Sequence, residues 1–282
     1  MVEEGGRAGS LFVVSTPIGN MGDFTFRAVE TLRSVALVLA EDTRHSRPLM
    51  DRYEIRTPLL AYHEHNEARM TPQVVDRLAR GENVALITDA GTPLLSDPGA
   101  RLVRAAAAAG IRVVPVPGAS ALLAALVASG LAAERFTFYG FLERKGRGRS
   151  EALTEMAALR HTVVLYEAPG RVADTLADLA AAGAGARQTA VARELTKQYE
   201  EVRRGTVSDL AAYYQESPPR GEVVIVIEGG EPAAPDEGAL RERARTLRAQ
   251  GLSPRDVAKA LGQAGAARNV AYRLAHEEGE AV

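Results

Sequence analysis

Side chains able to move a proton or hold a ligand gather at a few turn-rich segments of this 282-residue chain, each directly behind a short apolar run. Ile87-Thr-Asp-Ala-Gly-Thr-Pro-Leu-Leu-Ser-Asp-Pro-Gly99 brings two aspartates, two glycines and two prolines after the run Val84-Ala-Leu-Ile87. So many glycines and prolines commit the backbone to one path, which a mere connector does not need. Loops at the carboxyl ends of strands in an open α/β sheet face the crevice where ligands bind. Ala40-Glu-Asp-Thr-Arg-His-Ser-Arg47 crowds ionisable groups behind a second run. Asp42, Arg44 and His45 are candidates there to contact a substrate or remove a proton, although Asp42 or Thr43 also suits the cap of a following helix. Lys197, at the end of Ala192-Arg-Glu-Leu-Thr-Lys197, could ease deprotonation of a hydroxyl or hold a phosphate; its plainer use is a surface salt bridge.

Two further segments bear on the ligand. Ser15-Thr-Pro-Ile-Gly-Asn-Met-Gly-Asp23 is glycine-rich but lacks both G-x-G-x-x-G and G-K-[ST]. None of the three lysines, Lys145, Lys197 and Lys259, lies in a strand-end loop of the first region, so a ligand without phosphates is expected. Leu142-Glu-Arg-Lys-Gly-Arg-Gly-Arg149 sets Arg144, Lys145, Arg147 and Arg149 in a loop with two glycines, able to neutralise nucleic-acid phosphates or simply to be solvated. His63-Glu-His65 has alternate histidines, yet on an extended segment these flank a sheet edge as readily as they bind metal, and no metal is expected.

The elements that must carry these segments alternate. Strands are expected at 11–15, 36–40, 84–88 and 112–116, with a weaker one near 59–62, in a largely parallel sheet with crossover helices. Thr71-Pro72 supplies an N-cap and first-turn proline, Gly81 and Gly110 close helices, and Ser120 to Ser129 is a short apolar helix ended by Gly130. A second α/β region begins near Leu131, with strands at 136–141, 162–167, 188–192, 199–204 and 223–228 and helices at 150–159, 171–182 and 208–215. Thr206-Val-Ser-Asp209 resembles a capping box. The crevice between the two regions is the default binding site.

The expected domains are therefore a disordered leader over 1–10, α/β domains at 11–130 and 131–230, a linker at 231–238 and a helical unit at 239–282. That last unit, with Ser253 and Pro254 opening its middle helix, has the pattern of a helix-turn-helix. A helical cap or dimerisation element would also fit it. The polar, acidic start of the chain is not a signal peptide, and no apolar run nears the roughly 18 residues of a membrane span, so a cytoplasmic protein is expected. The absence of cysteine excludes disulfides, thiolate metal sites and thiol nucleophiles. A net charge of −2 argues against an overall electrostatic grip on nucleic acid but permits a local basic patch.

Taken in order, Thr16-Pro-Ile-Gly-Asn20, Ala40-Glu-Asp-Thr-Arg44, Thr88-Asp-Ala-Gly-Thr-Pro93 with Ser96-Asp-Pro-Gly99, Val116-Pro-Gly-Ala-Ser120, Tyr166-Glu-Ala-Pro169 and Arg193-Glu-Leu-Thr-Lys197 resemble the ribosomal RNA small subunit methyltransferase I family, of the tetrapyrrole-methylase-like class. The resemblance spans nearly all of residues 11 to 229. It implies two α/β domains of tetrapyrrole-methylase type with S-adenosylmethionine in the cleft between them. It implies 2′-O-methylation of a cytidine ribose in 16S rRNA near the decoding centre, on the rRNA or the 30S subunit, by a homodimer. Carried over by position, it implies cofactor contacts from Pro17, Asp89, Gly91, Thr92, Leu94, Ser120, Ala121, Glu167 and Ala192; Arg44 and the basic loop remain, from the residues themselves, the candidate RNA contacts. The residues offer Asp42, His45 and Lys197 as the base without deciding between them. A tetrapyrrole methylase and a non-catalytic binding module are the rival readings; the basic loop and the 5% aromatic content favour RNA over a large planar ring.

Overall fold

The computed structural model describes residues 8–230 and 237–277; the leader up to residue 7, linker residues 231–236 and residues 278–282 lie outside them. Residues 1–228 and 229–282 fall into two compact units. The first unit begins with β1 (Ser10–Val14), α1 (Phe26–Ser34), β2 (Leu37–Ala40), α2 (Thr43–Arg52), β3 (Leu59–Ala61), α3 (Glu67–Ala79), β4 (Val84–Leu86), α4 (Ala100–Ala108), β5 (Arg112–Val116) and α5 (Ala121–Ser129). It continues with β6 (Phe136–Phe141), α6 (Arg147–Ala158), β7 (Thr162–Glu167), α7 (Val172–Leu179), β8 (Gln188–Arg193), β9 (Glu201–Thr206), α8 (Val207–Glu216) and β10 (Val223–Ile227). The second unit holds α9 (Glu237–Ala249), α10 (Pro254–Gln263) and α11 (Arg268–His276). No helix among the described residues is long and apolar enough to cross a membrane.

Five parallel strands form the first sheet in the order β3-β2-β4-β1-β5. The central strands β2 and β4 are covered on both faces, so they are apolar at successive positions rather than alternating with polar ones. Val38, Ala40, Ala85 and Ile87 enter a core with α1 and α2, whereas Leu37, Leu39, Val84 and Leu86 enter one with α3 and α4. The second sheet, β6-β7-β10-β8-β9, is mixed: β6 runs parallel to β7, and β10 lies antiparallel between β7 and β8. Val163, Leu165 and Ile225 face one core, Val164, Ala190 and Val226 the other.

Helix α5 joins the sheets physically. Apolar on every side, it packs Leu122, Ala125 and Leu126 on the second face of the second sheet, where Ile18 from the loop after β1 joins them. A boundary at 130–131 would give α5 to the first region, but its contacts lie with the second sheet. Local chemistry sets the ends: Ser120 caps α5, Gly130 closes it at φ +77°, and Thr206 with Asp209 completes a capping box on α8. Two expectations are corrected. The Thr71-Pro72 pair does not open α3, because Asn66 turns the chain at His63 and the helix starts at Glu67, leaving Pro72 inside. The ordered chain also begins before residue 11: the Gly9 N–H donates to Leu78 O at 2.8 Å and Ser10 opens β1.

Gly99 precedes α4 at φ +123°, and a Cβ there would sit 2.5 Å from Leu86 Cδ2 in the core. Gly130 has a positive φ but open space around it. Gly99→Ala should therefore lower unfolding free energy by about 2–3 kcal/mol against about 1 kcal/mol for Gly130→Ala, read from urea midpoints. Equal losses would show that the backbone angle alone matters at residue 99.

Candidate active site

The parallel sheet delivers the loops after β1, β2, β4 and β5 to one edge, and backbone bonds join them there. Thr16 and Gly91 exchange N–H···O bonds at 2.8 and 3.1 Å, and Thr16 Oγ1 donates to Thr88 O at 3.0 Å. Ser15 Oγ lies 3.1 Å from Thr92 Oγ1, which donates onward to Ala119 O at 3.2 Å. The β4 loop is strained as well as pinned: Leu94 and Ser96 hold φ of +75° and +71°, conformations that cost a non-glycine residue roughly 1–3 kcal/mol each.

Across from these loops stand Tyr166, Glu167, Ala168 and Pro169 at the end of β7 and Gly221 to Val224 leading into β10, enclosing a cavity of about 350 Å³. Asp89, Gly91, Thr92, Ala121 and Glu167 line it together. Pro17 lines a smaller adjoining cavity of about 260 Å³, which shares Ile18, Asp89, Ala90 and Glu222 with the larger one. The structure does not bring Leu94, Ser120 or Ala192 to either wall. The Leu94 side chain packs on the core beneath the loop, Ser120 caps α5, and Ala192 is buried in β8.

The larger cavity is acidic. Asp89, Asp97, Glu167 and Glu222 line it, and no lysine, arginine or histidine among the described residues does. Burial first, then the neighbouring carboxylates of Asp97 and Asp89, hold Glu41 above the ordinary range; burial, with the Asp89 charge, holds Asp97 up against hydrogen bonding that would lower it. Glu167 is already occupied, accepting from Ala168 N at 2.8 Å and Thr175 Oγ1 at 2.6 Å and pairing with Arg171 at 3.2 Å. Neither Glu41 nor Asp97 stands out as a candidate in the sequence, because they lie far apart along the chain. The available signal was that both follow apolar runs, and β2 and β4 prove to be neighbours.

The three candidate bases part company. Asp42 is the N-cap of α2: its carboxylate accepts from Arg44 N at 2.8 Å and from the Arg44 guanidinium at 2.8 and 3.1 Å. Those side-chain and backbone bonds hold it down to about 2, which makes it a poor proton acceptor in this arrangement. Burial pulls Lys197 down, but Glu194 at 3.0 Å and Glu222 at 3.1 Å outweigh that and raise it, so it stands as a fixed cation rather than a base. Its stem lies over Gly19, where a Cβ would meet Lys197 Cγ at 2.4 Å. His45 lines the smaller cavity with Lys197, and its ring makes no hydrogen bond with another described residue.

Within the basic loop Arg144, Lys145 and Arg147 are exposed, Arg147 pairing with Glu151 at 2.6 Å. Arg149 is not part of that surface. Helix α6 starts at Arg147, a turn early, and so Arg149 falls on its inner side with Leu153 and Met156, donating to Asp178 Oδ2 at 2.7 Å and Thr175 Oγ1 at 3.1 Å. Arg44 is exposed but tied to Asp42. His63 and His65 meet edge to face at 6.0 Å, and no group of three or more potential metal ligands assembles among the described residues.

Two α/β layers meeting at an acidic cleft define a methylase of the tetrapyrrole type, and residues 10–211 match the family model described as Tetrapyrrole (Corrin/Porphyrin) Methylases. The fold is shared with a uroporphyrin-III C-methyltransferase from Thermus thermophilus solved with S-adenyl homocysteine, at TM-score 0.57 and 19% identity over 78% of this chain and 97% of that one. Much nearer in sequence are proteins named ribosomal RNA small subunit methyltransferase I. The one from Synechocystis sp. is 46% identical, covering 90% of this chain and 92% of its own length; that from Xylella fastidiosa is 47% identical, covering 94% and 98%. The chain belongs to the ribosomal RNA small subunit methyltransferase I family.

The raised Asp97 carboxyl makes a stability prediction with a definite sign. A folded-state value above the unfolded one favours the fold at low pH and loses that contribution as pH rises through the folded value. Asp97→Asn should accordingly be more stable than the parent at pH 7 to 8, with the difference closing below the ordinary aspartate value of 3.8, as measured by denaturant midpoints across pH. A variant less stable than the parent at every pH would mean that Asp97 serves the fold rather than burdening it.

Proposed function

We propose that this protein transfers a methyl group from S-adenosylmethionine to the 2′-hydroxyl of a cytidine ribose in 16S rRNA near the ribosomal decoding centre, acting as a homodimer in the bacterial cytoplasm. The observation that carries the reading is the acidic cavity of about 350 Å³ in a chain of this family. Its volume lies in the range of small-molecule sites, and a carboxylate wall without cations fits a ligand that has a sulfonium and an amino group but no phosphate. The relative solved with S-adenyl homocysteine supports the same choice.

Bound there, the cofactor supplies an activated methyl group. Asp89, Gly91, Thr92 and Ala121 would hold it, the backbone at Gly91 offering close approach because no side chain stands there. Glu167, with both oxygens engaged, keeps the opposite wall in position. The smaller cavity would take the ribose, with the His45 ring accepting the proton from the 2′-hydroxyl and the Lys197 ammonium adding a fixed positive charge near the departing proton's oxygen. Holding oxygen and methyl carbon in line is worth up to several kcal/mol, which is what bonded, strained loops are suited to do. Arg144, Lys145 and Arg147 would contact rRNA phosphates from their exposed loop.

Incubation with methyl-labelled S-adenosylmethionine and either 30S subunits or naked 16S rRNA should put label on a cytidine 2′-oxygen; label on a base, or no label on RNA, would overturn the reading. In the same assay Asp89→Ala should raise the cofactor Kd at least about tenfold, some 1.4 kcal/mol, without altering the rRNA Kd. Replacing Arg144, Lys145 and Arg147 with Ala should do the reverse, weakening rRNA binding and flattening its salt dependence while the cofactor Kd stays constant. An unchanged salt slope removes that loop from the interface.

A further inference from the structure

Charge is divided by face in the C-terminal unit. Residues 229–282 contain eight arginines and lysines and eight aspartates and glutamates, so the unit is neutral as a sum and what matters is where the charges sit. Two of the acids are engaged where α9 meets α11: Glu237 lies 2.9 Å from both Arg241 and Arg273, and Glu277 pairs with the same two arginines at 2.9 and 3.4 Å. Asp256 accepts from the Ser253 hydroxyl at 2.6 Å at the start of α10.

Between α10 and α11 lies a groove of about 730 Å³. Arg255 and Lys259, four residues apart on α10, and Arg268 and Tyr272, four apart on α11, line it. That spacing puts each pair on one side of its helix. Small residues such as Gly262 and Ala271 leave the space between them open. The three cations are exposed and form no ion pair among the described residues. Tyr272 is half exposed, its ring stacked on His276 with centroids 5.5 Å apart and planes at 12°.

We propose that this groove docks a single-stranded segment of the RNA substrate, with Arg255, Lys259 and Arg268 neutralising successive phosphates and Tyr272 stacking on an unpaired base. The inference rests on the rRNA reading above and adds to it a second contact surface, separate from the cleft and from the basic loop. Three unpaired cations along a groove outnumber its one carboxylate, Asp256, which is held by the Ser253 hydroxyl; they make a site for a polyanion rather than for a single small anion, and a flat aromatic at the same groove suits a base. An apolar protein partner would find too little to bury between these charged walls.

The test uses the full chain and a 16S rRNA fragment titrated across a salt series. Changing Arg255, Lys259 and Arg268 together to Ala should reduce the slope of log affinity against log salt by about 2, at roughly 0.7 per phosphate on a single strand. The cofactor Kd and the melting temperature should hold, since all three side chains are exposed. Arg243→Ala with Arg245→Ala, exposed cations of α9 outside the groove, should leave the slope alone. Tyr272→Ala should weaken binding roughly tenfold even at high salt, and Tyr272→Phe should restore it. An unchanged slope in the triple variant, or an equal fall in the α9 control, overturns the groove while leaving rRNA methylation standing. Failure of the parent chain to bind or methylate rRNA at any salt overturns both.

Discussion

The reciprocal backbone pair between Thr16 and Gly91 is the constraint on which the cleft depends. It ties the loop after β1 to the loop after β4 before any ligand arrives, and each partner donates and accepts, so neither group is left seeking water. Thr16 extends the clamp through its hydroxyl to Thr88, and Ser15 and Thr92 carry it across to Ala119 beyond β5. With three loops bonded to one another, the backbone has little freedom to relax the positive φ angles at Leu94 and Ser96. Strain of this kind is retained only where surrounding bonds over-determine it, and here they surround the cavity.

A clamp within one sheet makes only one wall. The other wall is brought in by α5, which leaves the first sheet at Ser120 and buries Leu122, Ala125 and Leu126 on the second sheet with Ile18 beside them. Ile18 sits two residues beyond Thr16, so the clamp and the joint between sheets share one short segment. Any shift of the β1 loop would therefore disturb the cavity from both sides. Lys197 reinforces the same segment from the second sheet, its stem over Gly19 and its ammonium between Glu194 and Glu222. The absence of a side chain at Gly19 is what allows that approach.

Local pattern carried much of the architecture, and its failures have physical causes. Strands β5, β6 and β7 fall where apolar β-branched and aromatic runs end in turn residues, and Ser120, Thr206 and Ser253 start helices and Gly130 stops one by chemistry that acts over a few residues. The start of α3 was misread because Asn66, which turns the chain through its bond with the His63 N–H, competes with Thr71-Pro72 as an opening signal. Arg149 was misread for a related reason: beginning α6 one turn earlier moves it from a loop to the buried side of a helix. The Glu41–Asp97 pair could not be read from spacing at all. It exists because β2 and β4 are neighbours in the sheet, and strand order is a tertiary fact.

The same distinction explains why a net charge of −2 says so little about this chain. A sum over the sequence averages regions that the fold keeps apart. Acid is concentrated at the cavity, lined by Asp89, Asp97, Glu167 and Glu222, with Glu41 close enough that its carboxyl and that of Asp97 are both held above the ordinary range. Base is concentrated at the exposed loop of Arg144, Lys145 and Arg147 and along the α10–α11 groove. A cationic donor and a polyanionic acceptor need surfaces of opposite sign, and each surface would repel the other ligand. Under the proposed reading, the carboxylates that would attract a cationic donor would repel RNA from the same cavity, so a near-neutral sum conceals surfaces of opposite sign.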